Sequence, residues 1–266
     1  MEEKSLIVVI IAVAAALLAL PARAQSMMDQ VDFSSDAYSK AEMSRDEIVA
    51  AISKLKAGEK LDLSGKALNG LDLSGIDLRR TNLQAARLMR ANLSNADLEG
   101  VNLDSAWSLN STWKGANLKG ASMFQTQLQG ANLDGANLSG AHIAGDFSKA
   151  SLKNAIFDGA DLSPNESNQS MGLMRGTFRN TALDGASFKN AKMRRSLIEF
   201  SSLRGADLTG ADLTNAELGG SNFDGANLSG ADVNGADFTS AGTAEIKNLN
   251  EAKNLAQAKG LPANLR

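Results

Sequence analysis

From Leu63 onward an apolar residue returns at every fifth position, through Leu68, Leu73, Leu78, Leu83 and Leu88, and the beat is still running at Leu228, Val233 and Phe238. Two positions before most beats sits a small residue, as at Ala86, Ala91, Ala96, Ala116, Ala131 and Ala136. One position before is usually Asp or Asn. The unit reads A-[DN]-L-x-x, plain in ANLSN (91–95), ADLEG (96–100), ANLDG (131–135) and ADLTG (206–210). An internal repeat of this kind dictates architecture before any other signal does.

Five residues fit neither regular element. On a helix of about 100° per residue, successive leucines would advance by roughly 500° and spiral around the rod. In a straight strand an odd spacing would throw alternate leucines onto opposite faces. A short extended piece followed by a corner in every unit satisfies the spacing. Positions i−2 and i then point inward, while i−1, i+1 and i+2 face water. Glycine at i+2 (Gly65, Gly70, Gly75, Gly100, Gly120, Gly135) suits a corner that needs positive φ. The beats number 17 from Leu63 to Ile143, 4 from Phe147 to Leu162 and 13 from Phe178 to Phe238, and only Ser108 among them is not apolar.

On these residues, the stretch 61–242 resembles the pentapeptide-repeat family. The resemblance implies an all-β fold, a right-handed quadrilateral (four-sided) β-helix solenoid with four units to a coil. Eight or nine coils would follow, and a spacing of about 4.8 Å between strands makes the rod roughly 40 Å long. Each coil covers the one before it, so both raw ends need caps, and helical caps are expected at both.

The flanks divide accordingly. Residues 6–20 form an apolar run followed by Pro21 and the A-x-A pattern Ala22-Arg23-Ala24, which reads as a signal peptide of residues 1–24 cut before Gln25. Fifteen apolar residues are short against the roughly 20 needed to span a bilayer, so no stable membrane span is expected after cleavage. Periplasmic or secreted localisation follows. Residues 25–43 read as a flexible tether. Ser44 to Glu47 form a capping box for an N-terminal capping helix within 44–60, with Ile48, Val49, Ile52 and Leu55 on one stripe and Gly58 to end it. Residues 243–266 lose the beat and suggest a short C-terminal helix. It is read as a cap, or as the seat of a homodimer through Leu249 and Leu255.

Three breaks interrupt the rhythm, and such breaks are where function or strain concentrates. At 106–113, Ser108 holds a large-residue slot and Trp113 is oversized for one. Local repacking is expected, either with Leu109 slipping inward or with a Trp left outside as a contact. Between Ile143 and Phe147 one residue is missing, beside His142, the single histidine of the chain. At 163–174 a polar stretch with Pro164 and Gly172 reads as a loop thrown out from the rod, either a tolerated insertion or a recognition loop.

Cysteine is absent, so disulfides, thiol nucleophiles and Cys-based metal sites are excluded. With a single His and a narrow filled bore, no catalytic residue, cofactor or metal ligand is nominated. Charge is uneven. Residues 161–204 carry 4 acidic and 7 basic side chains, whereas 205–242 carry Asp207, Asp212, Glu217, Asp224, Asp232 and Asp237 and no base. Asp212 and Asp232, like Glu217 and Asp237, stand one expected coil apart, where stacked carboxylates either hold a divalent cation or sit in screened solvent. The favoured function is a non-catalytic exported scaffold or interaction protein that presents rigid faces to an unidentified protein or envelope component, without nucleic acid as a partner. Its expected contacts are Asn165, Glu166, Asn168, Gln169, Met171 and Met174 of the loop with Arg194 and Arg195 beside it. The alternative resembles the quinolone-resistance pentapeptide proteins, which imitate DNA and bind type II topoisomerase; the acidic end fits it and the signal peptide does not.

Overall fold

A computed structural model describes residues 39–164 and 174–261. The expected signal peptide, most of the tether, and Asn165, Glu166, Asn168, Gln169 and Met171 lie outside the described residues. All 34 beat residues are 0 or 1% exposed, which fixes the inward register throughout. The small i−2 residues are buried with them, so each coil alternates large and small side chains across a filled bore.

Parallel bridges join each unit to the unit one coil later. The short strands β1 (Leu61–Asp62) and β2 (Thr81–Asn82) pair in parallel, and isolated bridges continue the pattern at Ala67↔Arg87, Asp72↔Asn92 and Asp77↔Asp97. Four bridges therefore recur in every twenty residues. The chain is a β-helix whose strands are mostly reduced to one or two residues between corners. One column of bridges climbs in nine steps from Asp62 to Lys253, about 43 Å at the usual strand spacing.

The frequent Asp or Asn at i−1 has a local cause. Its Oδ1 accepts the backbone N–H of residue i+1, as in Asp72 with Ser74 (3.0 Å), Asn137 with Ser139 (3.0 Å) and Asp212 with Thr214 (3.0 Å). This closes the corner with a side-chain mimic of a turn bond. Where Asn stands one coil above Asp, its Nδ2 also donates downward, as Asn92 does to Asp72 (3.0 Å) and Asn117 to Asp97 (2.9 Å).

Helix α1 (Arg45–Ser53) begins at Ser44, where the expected capping box is present. Its Ile48 is fully buried against the first coil, and Arg45 donates to the carbonyls of Asp72 (2.8 Å) and Ser74 (2.9 Å). The chain is already anchored before the helix. Glu42 N–H donates to Ala67 O (2.8 Å), and its carboxylate pairs with Lys66 and Arg87. The tether reading thus fails at Ala41 to Met43, which belong to the rod.

The C-terminal tail departs from expectation. In place of a short helix, two three-residue 3-10 turns, Leu249–Glu251 and Leu255–Gln257, alternate with bridges Asn227↔Lys247, Asp232↔Lys253 and Asp237↔Lys259. The spacing has become six, and each corner absorbs the added residue as a tighter turn. Leu249 is 6% exposed and Leu255 packs partly buried on the core.

The Trp break is a repacking in which the beat never slips. Ser108 stays inward at 0% exposure, Leu109 stays in its corner half-buried, and Trp113 enlarges to fill the bore beside the serine. The indole N–H donates to Ser111 Oγ (2.7 Å) and Ser108 Oγ (3.2 Å), and the two hydroxyls lie 2.8 Å apart. Trp107 takes the outward bridging position between Arg87 and Gln127.

Candidate functional site

The missing residue and the loop occupy the same corner of successive coils. Following the column Asn102, Ser122, His142, Asp161, Lys192 and Asp212, the corners are Asp104–Ser105, Phe124–Gln125, Ala144–Gly145, Ser163–Pro164 and Arg194–Arg195. Strands β3 (Ser122–Gln127) and β4 (His142–Asp146) pair there with a bulge between Phe124 and Gln127, which shortens the bridge offset from twenty to nineteen. Gly145 is required by close approach, since a Cβ would sit 2.6 Å from Thr126 O. One coil later the offset jumps to 31, as Asp161↔Lys192 shows.

The ends of the departing segment are closely tied. Gly176 N–H donates to Leu162 O (3.0 Å), and a Cβ on Gly176 would lie 3.0 Å from Leu162 Cβ. Two stacked phenylalanine pairs span the interruption, Phe147 with Phe178 (4.9 Å between centroids) and Phe157 with Phe188 (4.7 Å). Below the point of departure a groove of about 490 Å³ is lined by Asp104, Phe124, His142, Asp161, Ser163 and neighbouring atoms. Asp104 accepts from the Ser122 hydroxyl (2.7 Å) and Phe124 N–H (2.9 Å), and Asp161 accepts from Ser163 N–H (3.1 Å).

Above the same point stand Arg194 and Arg195, both exposed. Half-buried Met174 leads into Arg175, whose Nη1 donates to Arg195 O (2.9 Å) and pairs with Glu217 (2.9 Å). The structure therefore brings Met174, Arg194 and Arg195 to one corner. The basic belt is not a bare field, however. Arg179 pairs with Glu199 (2.8 Å), Lys189 with Asp207 (3.3 Å) and Lys192 with Asp161 (3.4 Å).

Asp212↔Asp232 and Glu217↔Asp237 do stand one coil apart. Their oxygens serve the fold already: Asp212, Asp232 and Asp237 accept the corner N–H groups of Thr214, Asn234 and Thr239. Thr239, by its hydroxyl and then its N–H, holds the Asp237 carboxyl below its usual range. Among the described residues no group of three His, Cys, Asp or Glu is placed to hold a metal ion. Sequence reasoning missed the groove because it treated the three breaks separately. Writing the chain coil by coil, in rows of twenty that shorten to nineteen at the lost residue, aligns Phe124, Ala144 and Ser163.

Comparison with curated proteins returned no match. Among solved structures, HetL, a pentapeptide repeat protein involved in heterocyst differentiation regulation from Nostoc sp. strain PCC 7120, is 25% identical over 82% of this chain and 94% of that one, with a TM-score of 0.39. QnrB1, a plasmid-mediated fluoroquinolone resistance protein, is 16% identical over 76% and 90%, with a TM-score of 0.38. A pentapeptide repeat protein from the Arabidopsis thaliana thylakoid lumen is 26% identical over 55% and 68%, with a TM-score of 0.26. The profile of pentapeptide repeats matches eight copies, at residues 68–106, 110–140 and 201–239, and leaves out Trp107 to Leu109 and the interrupted coils at 141–200. The five-residue beat is buried from Leu63 to Phe238 and the profile repeats eight times along it, so this part of the chain is built of pentapeptide repeats.

Proposed function

We propose that this protein is a non-catalytic scaffold, a four-sided right-handed rod that offers the 163–174 corner and its neighbours to a protein or envelope partner. The observation that carries this reading is the filled bore. Large and small side chains occupy the interior from end to end, so groups able to contact a partner are confined to the outer faces and corners. Of those corners, one combines a lost residue, an inserted segment, a groove and exposed Arg194 and Arg195. Rigid scaffolds commonly carry recognition on such loops.

Export belongs to the same reading and rests on the apolar run 6–20 with Ala22-Arg23-Ala24 behind it. Among the described residues no helix is long and apolar enough to cross a membrane. A DNA-like charge surface is less well supported, because Glu199, Asp207 and Glu217 are each engaged by a basic side chain. The test is cell fractionation followed by in-cell crosslinking and mass spectrometry. The wild type would be compared with Arg194→Glu/Arg195→Glu and with a form in which 163–174 is cut to a bare corner. Mature protein beginning at Gln25 outside the cytoplasm, with crosslinks lost in both variants, is the expected result. An unprocessed cytoplasmic pool, or an unchanged crosslink set in both variants, overturns it.

A further inference from the structure

The corner Glu199–Phe200 spends stability in two ways at once. Phe200 sits at i+2 with φ of 54°, in the left-handed region where most other corners use Gly or Asn. For a bulky side chain that conformation costs about 1–2 kcal/mol. Its ring is also 65% exposed, while the six phenylalanines on the beat are fully buried. Folding alone gives no reason to keep it.

What surrounds the ring is specific. One coil later the corner is Gly219–Gly220, a shelf with no side chains. A Cβ at Gly220 would fall 2.6 Å from Phe200 Cδ1 and 2.7 Å from Cε1, so the ring leans along the rod over that glycine. Ring and shelf bound a groove of about 350 Å³, whose other lining residues are Glu199, Glu217, Asp237, Thr239 and Ser240. The lining holds three carboxylates and no basic side chain. Glu199 is tied to Arg179 and Glu217 to Arg175 from outside the groove, while Asp237 is held by Thr239. The Glu217 side chain remains 47% exposed.

We propose that this groove binds an arginine side chain projecting from a basic partner protein, its guanidinium resting on the Phe200 ring with Glu217 and Asp237 as counter-charges. The face of an aromatic ring attracts a cation, and guanidinium stacks on it more readily than ammonium does. An apolar occupant would take Asp237 and the exposed part of Glu217 out of water with no new counter-charge. An anion would meet the same two carboxylates, with no basic side chain in the lining. The groove is at the corner next to Arg194 and Arg195 and does not depend on the inserted segment for any lining residue.

The test is NMR titration of the full chain, labelled at phenylalanine rings and glycine amides, with end-capped tri-arginine as probe and tri-glutamate as control. Saturable shifts at the Phe200 ring and at Gly219 and Gly220 are expected with tri-arginine alone. Phe200→Asn should weaken the affinity at least fivefold while raising the melting temperature, because Asn suits the left-handed corner; loss of binding then cannot be loss of fold. Asp237→Asn should weaken it less. Equal shifts at glycine amides all along the rod, in both wild type and Phe200→Asn, would mean binding by charge alone and would overturn the proposal. So would the absence of any Phe200 shift.

Discussion

Residues 61–140 and residues 141–200 use the same five-residue unit to different ends. In the first stretch the bridge offset is twenty up to the bulge at β3, leucine fills most beats, and Asn over Asp ladders tie coil to coil. In the second the offset runs through nineteen and 31 before returning to twenty, and phenylalanine replaces leucine at 147, 157, 178 and 188. The stacked rings restore cohesion where the chain leaves and rejoins, at about 0.5–1.5 kcal/mol per pair beyond their burial. A solenoid therefore accepts irregular corners as long as the beat inside is kept. Stability resides in the beat, and variation is confined to the corners.

The comparison breaks first if the beat is dispensable. Leu93→Arg should strand a charge in the bore and cost more than about 4 kcal/mol or abolish folding. Ser94→Arg, one residue away, keeps the backbone bond to Asn92 and should stay within about 1 kcal/mol. Equal damage, read by thermal unfolding, would refute the inward register. Next in size is Phe178→Ala, which removes the stack on Phe147 and the edge contact with Phe157. A loss of about 3–5 kcal/mol is expected, with hydrogen-exchange protection falling first in 141–200. Protection lost uniformly along the rod would show that the rings are not a local repair.

Acid should have a smaller effect. The Ser64 and Ser74 hydroxyls and N–H groups hold Asp62 and Asp72 below the usual carboxylate range, and the Arg79 guanidinium does the same for Asp77. A depressed folded value means stability that is present above the unfolded value, near 3.9, and lost as pH falls through the folded one. Melting temperature should therefore hold from neutrality to about pH 4 and decline below it. A decline centred near pH 6 would contradict this assignment. Smallest of all, cutting 163–174 to a bare corner should leave the melting temperature within about 3 °C, because each coil is held by its neighbours. A large drop would make the segment part of the core.

Much of this was legible in the chain because burial of a beat residue depends on spacing alone. Ser44 and Glu47 announced the capping box for the same reason, being a local pattern. The C-terminal coil was not legible: six-residue units such as 247–252 look helical in one dimension, and only the bridges to Asn227, Asp232 and Asp237 pull them into register. The role of Asn and Asp before each beat was visible as a preference but not as a bond. The outward position of Phe200 follows from its i+2 place, but the glycine beneath its ring left no mark, since Gly220 is twenty residues away.

The constant offset also governs how the chain can find its fold. Most bridges between coils close a loop of about twenty residues, so the search for partners stays local and winding can proceed coil upon coil from the seat of α1. The step of 31 residues is the longest reach among these bridges, yet the entropy of closing it exceeds that of a twenty-residue step by only about 0.4 kcal/mol. A corner can thus lengthen at almost no kinetic or entropic expense, which makes each turn of the rod a place where new recognition surface can be grown without unwinding the rest.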